Sequence, residues 1–342
     1  MTKAFPLALL VATLTAYLSV YVSPATFWLA GFFSLAIPFL LIVNLLLLLF
    51  LVTRRRWQVI FPLAALLVGY PYIEASIAWR SSPESTLPTF SVLSYNVRVF
   101  NIYASQQRDA PRPALTWLIA QDADVKCLQE YYNDDASAVF NATRQLQEQG
   151  TYHSYVNPSL VNRIGAQFGL AIFSRFPMLN RGEVGHPEDS LQYAIFADVE
   201  TPTGPVRIYN VHLRSMSIDE NALGNQGEYP SIARKLKNGF TTRAYQVEAL
   251  LAHVQTSPYP VVVCGDLNDV PYSYTYFSLR DQLLSTFEEA GRGFGFSYNG
   301  KLFFLRIDNQ FFSEALQAHR FTTYQEVNFS DHFPVRAEYS FR

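Results

Sequence analysis

The chain has 342 residues and a formal net charge of −2, and its two cysteines are too few for the clustered Cys/His ligands of a structural zinc site. Four of the 26 basic residues but only one of the 28 acidic ones precede Arg80. The remainder is therefore mildly acidic, which disfavours a tight nucleic-acid binder with its usual basic face.

The average composition hides two unlike parts. Residues 5–21, 27–52 and 57–73 are apolar runs, the third interrupted by Pro62 and Pro71, and each is near the roughly 17–25 residues a spanning helix needs. Three such runs in succession point to a multi-pass membrane region over residues 1–80, with the lipid bilayer as partner. Basic flanks tend to stay cytoplasmic, so Arg54-Arg55-Arg56 and Lys3 set an N-in, three-span orientation, with everything after about Arg80 on the periplasmic or extracellular side. Two alternatives stay open. The first run could be a signal peptide ending near Ser23-Pro24-Ala25, which leaves the domain outside. The third run is short and followed by Glu74; lying in the interface instead, it would turn the domain to the cytoplasm.

Residues 81–89 read as a linker, and residues 90–342 suffice for one large domain. Strand-like runs recur at 90–98, 124–129, 169–174, 193–200, 206–213 and 261–265. Helical spacing of apolar residues marks 112–121, 136–149 and 233–254. Strands and helices interleave without strict alternation, so the expected fold class is α/β: two mixed β-sheets face to face with helices outside.

Several of these strands end in polar islands. Ser94-Tyr95-Asn96, Leu128-Gln129-Glu130, Asn210-Val211-His212 and Gly265-Asp266-Leu267-Asn268-Asp269 each close an apolar run, and Ser330-Asp331-His332 stands near the C-terminus. Carboxylates, carboxamides and imidazoles at strand ends are what a hard divalent cation and a phosphate require. Glu130 suits Mg²⁺ or Mn²⁺, and Asn96 offers a neutral second oxygen. Gly265 permits a sharp turn from which Asp266 and Asn268, two apart, project together. Asn210 and His212 share a strand face by the same alternation, and Asp269 reads as a turn cap. Any one island alone is weak, since Glu and Asn are usually exposed or in turns and a single His is more often structural. Their combination reverses that preference.

From residue 90 onward these motifs, in this order, resemble the endonuclease/exonuclease/phosphatase (DNase I-like) superfamily. The resemblance implies a four-layer α/β sandwich, with the site where loops of both sheets meet, and a metal-dependent phosphoesterase hydrolysing a phosphodiester or phosphomonoester by in-line attack of activated water. It implies Asp266 as general base, Asn268 as a phosphate or metal contact, and His332 as acid or charge stabiliser held in its tautomer by Asp308. It further implies His212 against the phosphate, and Glu130, Asn96 and Asp331 around Mg²⁺ (or Mn²⁺). Asn210 and Tyr298, the latter in the Gly/aromatic loop 291–300, are expected to bind substrate, with the insert 214–239 also selecting it. One departure is Asn309-Gln310 after Asp308, where a Tyr is common in such relatives. A nuclease acting on nucleic acid and a catalytically silent anchored binding module are the alternatives.

No Gly-x-Ser-x-Gly elbow, Walker loop or His-Glu-x-x-His string occurs. Cys127 and Cys264 sit inside apolar strands and read as buried core thiols, with no spacing that requires a disulfide.

Overall fold

The computed structural model describes residues 4–80, 85–102, 112–150, 152–185, 193–216 and 226–342. Lys3, residues 81–84 of the expected linker and residues 217–225 of the expected insert lie outside them. The chain divides into two compact units. The first comprises residues 1–77 with 215–245 and 270–278; the second comprises 78–214, 246–269 and 279–342. Segments from the middle of the chain thus join the N-terminal region, which a linear division at residue 80 does not convey.

The first unit begins with helices α1 (Ala4–Ser19), α2 (Leu29–Leu35), α3 (Ile37–Thr53), α4 (Ile60–Val68) and α5 (Tyr70–Ser76). Among the described residues no single helix is long and apolar enough to cross a membrane. Two pairs reach that length together, α2 with α3 and the segment Trp57–Val68 with α5, bent by 41° and 51°. Each break precedes a proline in the first turn of the following helix, Pro38 and Pro71. A ring without N–H is tolerated there but not inside a continuous helix. Hydrogen bonds between helices tie this unit together: Asn44 donates to Thr13 Oγ1 at 2.9 Å, and Tyr72, stacked on Tyr17, donates to the Tyr17 carbonyl at 2.8 Å.

The second unit carries the strands β1 (Phe90–Asn96), β2 (Val125–Asn133), β3 (His153–Val161), β4 (Gln167–Ser174), β5 (Met178–Glu183), β6 (Ala194–Thr201), β7 (Gly204–His212), β8 (Val261–Asp266), β9 (Leu284–Ser285), β10 (Asp308–Phe312), β11 (Leu316–Thr323) and β12 (Val335–Phe341). The later helices are α6 (Arg112–Ala120), α7 (Ala142–Gly150), α8 (Tyr229–Val254), α9 (Tyr274–Arg280) and α10 (Thr286–Ala290), of which α8 and α9 pass from one unit to the other. The strands form two six-stranded sheets, ordered β11-β12-β1-β2-β4-β3 and β5-β6-β7-β8-β10-β9. Each holds one parallel pair at its centre, β1 with β2 and β7 with β8, flanked by antiparallel neighbours.

Alternation along the strands decides the layers. Val92, Val125, Cys127 and Ile172 of one sheet meet Ile195, Ile208, Val262 and Cys264 of the other in an inner core. Leu93, Tyr95 and Leu128 face outward against Leu115 and Leu118 of α6 and Leu146 of α7. On the far side, His253 near the end of α8 packs on Phe196 and Tyr209. The result is the expected α/β sandwich, in which strands covered on both faces read as continuous apolar runs. Both cysteines are free thiols buried in the inner core.

Two helices differ from their expected bounds. Residues 136–141 stay out of α7 because Asp134 and Ser137 side chains accept from Ala136, Val139 and Phe140 N–H groups, local turns that compete with a helix. The helix α8 starts earlier, with Pro230 in its first turn.

Lys126 on β2 is wholly buried, its ammonium hydrogen-bonded to the Leu118 carbonyl and 4.4 Å above the Tyr152 ring. Burial first, then Arg175, pushes it down to about 7, against the pull of Asp122. An unfolded lysine titrates near ~10.4, so between these values the unfolded chain binds the extra proton and stability rises with pH. Denaturant midpoints at pH 7 and pH 9.5 are therefore expected to move upward in the native chain relative to Lys126→Met. An equal pH response in both chains would show that the buried ammonium does not titrate in this window.

Candidate active site

The two parallel strand pairs end side by side, and their C-terminal residues make the site. Asn96 ends β1 and Glu130 follows it on β2; His212 ends β7 and pairs in register with Asp266 at the end of β8. Asp266 also lies opposite Asp308, the first residue of β10. Asn96, His212 and Asp266 are the last residues of their strands, whereas Glu130 lies within β2, which continues beside β4 to Asn133.

Local backbone geometry aims these side chains. The β2/β4 register shifts between Leu128 and Tyr131, and inside that bulge Glu130 adopts φ 47°. Such bulges re-aim a side chain, and here the Glu130 carboxylate comes within 3.2 Å of the Asn96 amide nitrogen. Asn268 has φ 50°, which lets its backbone N–H return to Asp266 Oδ1 at 2.8 Å. Gly265, between strand and turn, has φ 143°, and a Cβ there would collide with the Val211 backbone of the adjacent strand. Only glycine allows β8 to approach β7 so closely before Asp266.

Asp266 is fully buried and is the centre of the cluster. It accepts from the Asn268 N–H, from the Asn268 amide at 3.2 Å and from the Asn96 amide at 3.1 Å. His332 Nε2 lies 3.6 Å away and His212 Nε2 3.7 Å away. His212 is also 3.8 Å from Glu130. The other nitrogen of His332, Nδ1, makes a 2.9 Å bond to Asp308 Oδ2, and the Tyr298 ring stands edge-on to the imidazole at 5.6 Å. Asp331 flanks the cluster, 3.4 Å from Arg98 and accepting from Ser330, whose hydroxyl also donates to the Asn96 carbonyl.

Electrostatics fixes the proton on the histidine. Burial alone disfavours an imidazolium, but Asp308, Asp266 and Asp331 outweigh it and push His332 up to about 10. Burial likewise pushes the Asp308 carboxyl up, against the pull of His332. The pair is thus an imidazolium held by a carboxylate at neutral pH.

Glu130, Asp266, Asn268, His212, Asp308, Asp331, His332 and Tyr298 lie together in the structure. Asn96 is gathered too, but its amide nitrogen faces the carboxylates while its oxygen accepts from the Arg98 N–H at 3.0 Å. In this arrangement it spaces Glu130 from Asp266 and offers no oxygen to a metal. Asn268 spends its amide N–H groups on Asp266 and the Leu213 carbonyl, so its amide oxygen is what remains for a ligand.

Asn210 is a correction. It is fully buried, donates to the Leu128 and Ala171 carbonyls at 2.9 Å each and accepts from Gln129 at 2.6 Å. Leu128 and Ala171 face each other at the last regular step before the bulge, so Asn210 satisfies the carbonyls that the bulge leaves beside it. It supports Glu130 from below and does not touch substrate. Ser297 is the supporting residue that sequence reasoning missed. Its hydroxyl accepts from the Ile307 and Asp308 N–H groups, fixing the start of β10, and a serine in a loop carries no motif. The unusual Asn309-Gln310 pair is structural: Asn309 accepts from Arg306, and Gln310 donates to the Val92 and Val335 carbonyls of the other sheet.

The endonuclease/exonuclease/phosphatase family pattern matches residues 93–332, and a domain of unknown function matches residues 3–76. No curated protein matches. An endonuclease/exonuclease/phosphatase from Beutenbergia cavernae DSM 12333 is similar at 19% identity and TM-score 0.55, over 75% of this chain and 72% of that one. The human nocturnin catalytic domain with bound sulfate anion is similar at 18% and 0.52, over 75% and 94%. A mannosyl-6-phosphatase of Bacteroides thetaiotaomicron VPI-5482 is similar at 16% and 0.50, over 74% and 100%. With the site in the family's order and the match covering most of the chain, this protein belongs to the endonuclease/exonuclease/phosphatase family. Its members are generally hydrolases of phosphoester bonds that use divalent metals.

Asn210→Leu removes three buried hydrogen bonds and takes the side-chain donor from two carbonyls, while the Gln129 amide keeps Ser94 and the Cys127 carbonyl as acceptors. Each unsatisfied group costs about 1–3 kcal/mol, so urea unfolding should show a loss of about 3 kcal/mol or more. A loss below about 1 kcal/mol would mean the bulge does not depend on this carboxamide.

Proposed function

We propose that the protein is a membrane-anchored, Mg²⁺-dependent phosphoesterase whose catalytic domain stands on the periplasmic or extracellular side. The observation that carries the catalytic reading is the convergence of His332, His212 and the Asn96 amide on the single carboxylate of Asp266, with Glu130 against the same His212 ring and Asn96 amide.

The donor set fits a hard cation. Glu130, Asp266, Asp308 and Asp331 bring four carboxylates together, and Asp308 Oδ1 is buried with no hydrogen-bond partner. Mg²⁺ prefers such oxygens, and Glu130 and Asp331, both partly exposed, are the groups that would hold it beside Asn96. When bound, the ion supplies positive charge to the phosphoryl oxygens and acidifies water.

The chain's own groups supply the rest. Asp266, oriented by Asn268 and Asn96, takes the proton of the attacking water. His332, already protonated and fixed by Asp308, donates a charge-assisted hydrogen bond to the phosphoryl or leaving-group oxygen as negative charge grows there. His212, on the open side of Asp266, is placed to contact a second phosphoryl oxygen. Tyr298 limits rotation of the His332 ring and borders the entrance.

Anchoring is supported by the two bent helix pairs and by the large apolar side chains that the first unit leaves exposed, among them Leu18, Phe39, Leu46 and Leu67. A patch of this kind on a water-soluble surface would be a liability. Arg54, Arg55 and Arg56 between the pairs favour the cytoplasmic side at that turn, which puts residues after Arg80 across the bilayer.

The full chain in neutral detergent is expected to hydrolyse at least one of bis-p-nitrophenyl phosphate, p-nitrophenyl phosphate, phospholipid or DNA, with EDTA abolishing turnover and Mg²⁺ restoring it. Asp266→Asn and His332→Ala should each lower kcat by about 10²–10⁴. Absence of turnover on all four, under saturating Mg²⁺, would leave the binding-module reading standing. Carbonate washing should leave the protein in the membrane pellet, and protease added to intact spheroplasts should cut the C-terminal domain. Release by carbonate would sink the anchoring.

A further inference from the structure

The second unit holds a cleft of about 620 Å³ that contains none of the catalytic residues. Arg80, Arg292 and Arg320 line it together with His319, Thr323 and Phe294. Among the described residues no carboxylate lines it. Arg80 is paired with Glu289 at 2.9 Å, outside the lining, whereas Arg292 and Arg320 are exposed and, among the described residues, stand in no ion pair. Three guanidiniums on one concave surface select for an anion, and the planar fork of arginine suits phosphate oxygens.

Two further polar atoms lie just beneath the lining. His319 Nδ1 and Thr323 Oγ1 are buried with no hydrogen-bond partner, although His319 Nε2 is anchored to Ser340 at 2.9 Å. Orphaned polar atoms carry a desolvation cost unless something bonds them. The cleft therefore combines charge, size and unsatisfied polar atoms, and its volume lies in the ordinary range for small-ligand sites.

The wall facing Arg320 is built for position. Gly293 and Ala78 exchange two backbone hydrogen bonds, 2.9 and 2.8 Å, and Gln325 donates to the Phe296 carbonyl at 3.0 Å. Phe294, stacked on Phe296 at 5.0 Å and half exposed, gives the rim an apolar edge. Arg80 comes four residues after Ser76, the last residue of α5, no more than about 14 Å of extended chain. Exposed Trp79 lies between them in sequence. Arginine and aromatic side chains just beyond an apolar helix are the residues that meet lipid headgroups.

We infer that this cleft is a second, non-catalytic site for a phosphate-bearing anion. Two sources share that chemistry: the headgroup phosphate of an anionic phospholipid, and a soluble phosphate ester. The lipid source rests on the anchoring proposed above; the site itself rests on its arginines and orphaned polar atoms.

The test uses the full chain in neutral detergent, titrated with glycerol 1-phosphate, dihexanoylphosphatidylglycerol and zwitterionic dihexanoylphosphatidylcholine, with binding followed by calorimetry. EDTA is present throughout, so turnover plays no part in the readout. The native chain should bind at least one of the two anions and bind it more tightly than the zwitterion. Arg292→Gln/Arg320→Gln, both at exposed positions, should weaken that binding by about tenfold or more, since charge-assisted pairs are the strong hydrogen bonds to a phosphate. His332→Ala should leave it within twofold, which separates this cleft from the active site. Binding of the lipid alone assigns a headgroup, and binding of glycerol 1-phosphate assigns the phosphate group itself. Equal affinity in the native chain and the double arginine variant, or no binding of either anion, overturns the site. Because hydrolysis is read in a separate assay, failure of catalysis and failure of this site are distinguishable.

Discussion

One buried carboxylate, Asp266, ties the two sheets together at their polar ends. It belongs to β8 of one sheet and accepts from Asn96, which ends β1 of the other. Next to it, Asp308 of β10 holds His332, which precedes β12 of the opposite sheet. Deeper in, Gln129 of β2 donates to Asn210 of β7. Three hydrogen bonds between sheets, at successive depths, set the spacing that the apolar core below leaves adjustable. Dispersion between Val, Ile and Cys side chains fixes distance well but register poorly, whereas buried polar pairs have few satisfied arrangements. An unpaired Asp266 in that position would be costly. The site therefore helps to define the sandwich as much as the sandwich presents the site.

The two sheets solve the same problem twice. Each has one parallel pair at its centre, and each pair ends in one acid aimed by an irregular backbone: Glu130 inside a bulge at φ 47°, Asp266 just before Asn268 at φ 50°. Left-handed backbone at a residue other than glycine costs of order ~1 kcal/mol or more. At both places the cost is offset by bonds that the strained conformation makes available, Asn210 to the carbonyls beside the bulge and Asn268 to Asp266. The Asn96 amide, which donates to both acids, and Asn268, which donates to Asp266, hold the carboxylates in place. A regular β2 would turn Glu130 toward the other face of its sheet.

Much of this was legible in the sequence because central strands and catalytic ends carry opposite signals. Val261-Val262-Val263 reads as buried from either face, and the abrupt change to Gly265-Asp266 can only mark its end. The same contrast located Asn96, Glu130 and His212. Edge strands gave no such contrast: β3 and β5 are largely solvent-facing, so no apolar run announced them. The role of Asn210 was misread for a related reason. Alternation placed it on the same face as His212, but alternation says nothing of depth, and two residues back from the strand end is already inside the sandwich. Ser297 was invisible, since its action on Asp308 depends on a contact across a loop. In the N-terminal region, the sequence showed three apolar runs and the interruption of the third at Pro71, but not the bend before Pro38 within the second.

The balance of charge explains why the geometry suits phosphate chemistry in particular. Four acids, Glu130, Asp266, Asp308 and Asp331, lie about one imidazolium and the Arg98 guanidinium, and among the described residues the acid that Arg98 engages is Asp331. An anionic substrate approaching such a surface is repelled unless a cation lies between them, so the acids that exclude a bare phosphate are the ones that make a cation-bridged phosphate bind. His332 then sits on the opposite side of Asp266 from His212 and Glu130 by the order of the strands that carry them. In the reaction proposed above, Glu130 and Asp331 would hold the cation that supplies positive charge, His332 would supply a second positive group, and Asp266, 3.6 Å from His332 Nε2, would be the proton acceptor. Charge developing on the phosphoryl and leaving oxygens is met by groups already fixed in place, which is the condition under which electrostatic stabilisation lowers a barrier without first paying for reorganisation.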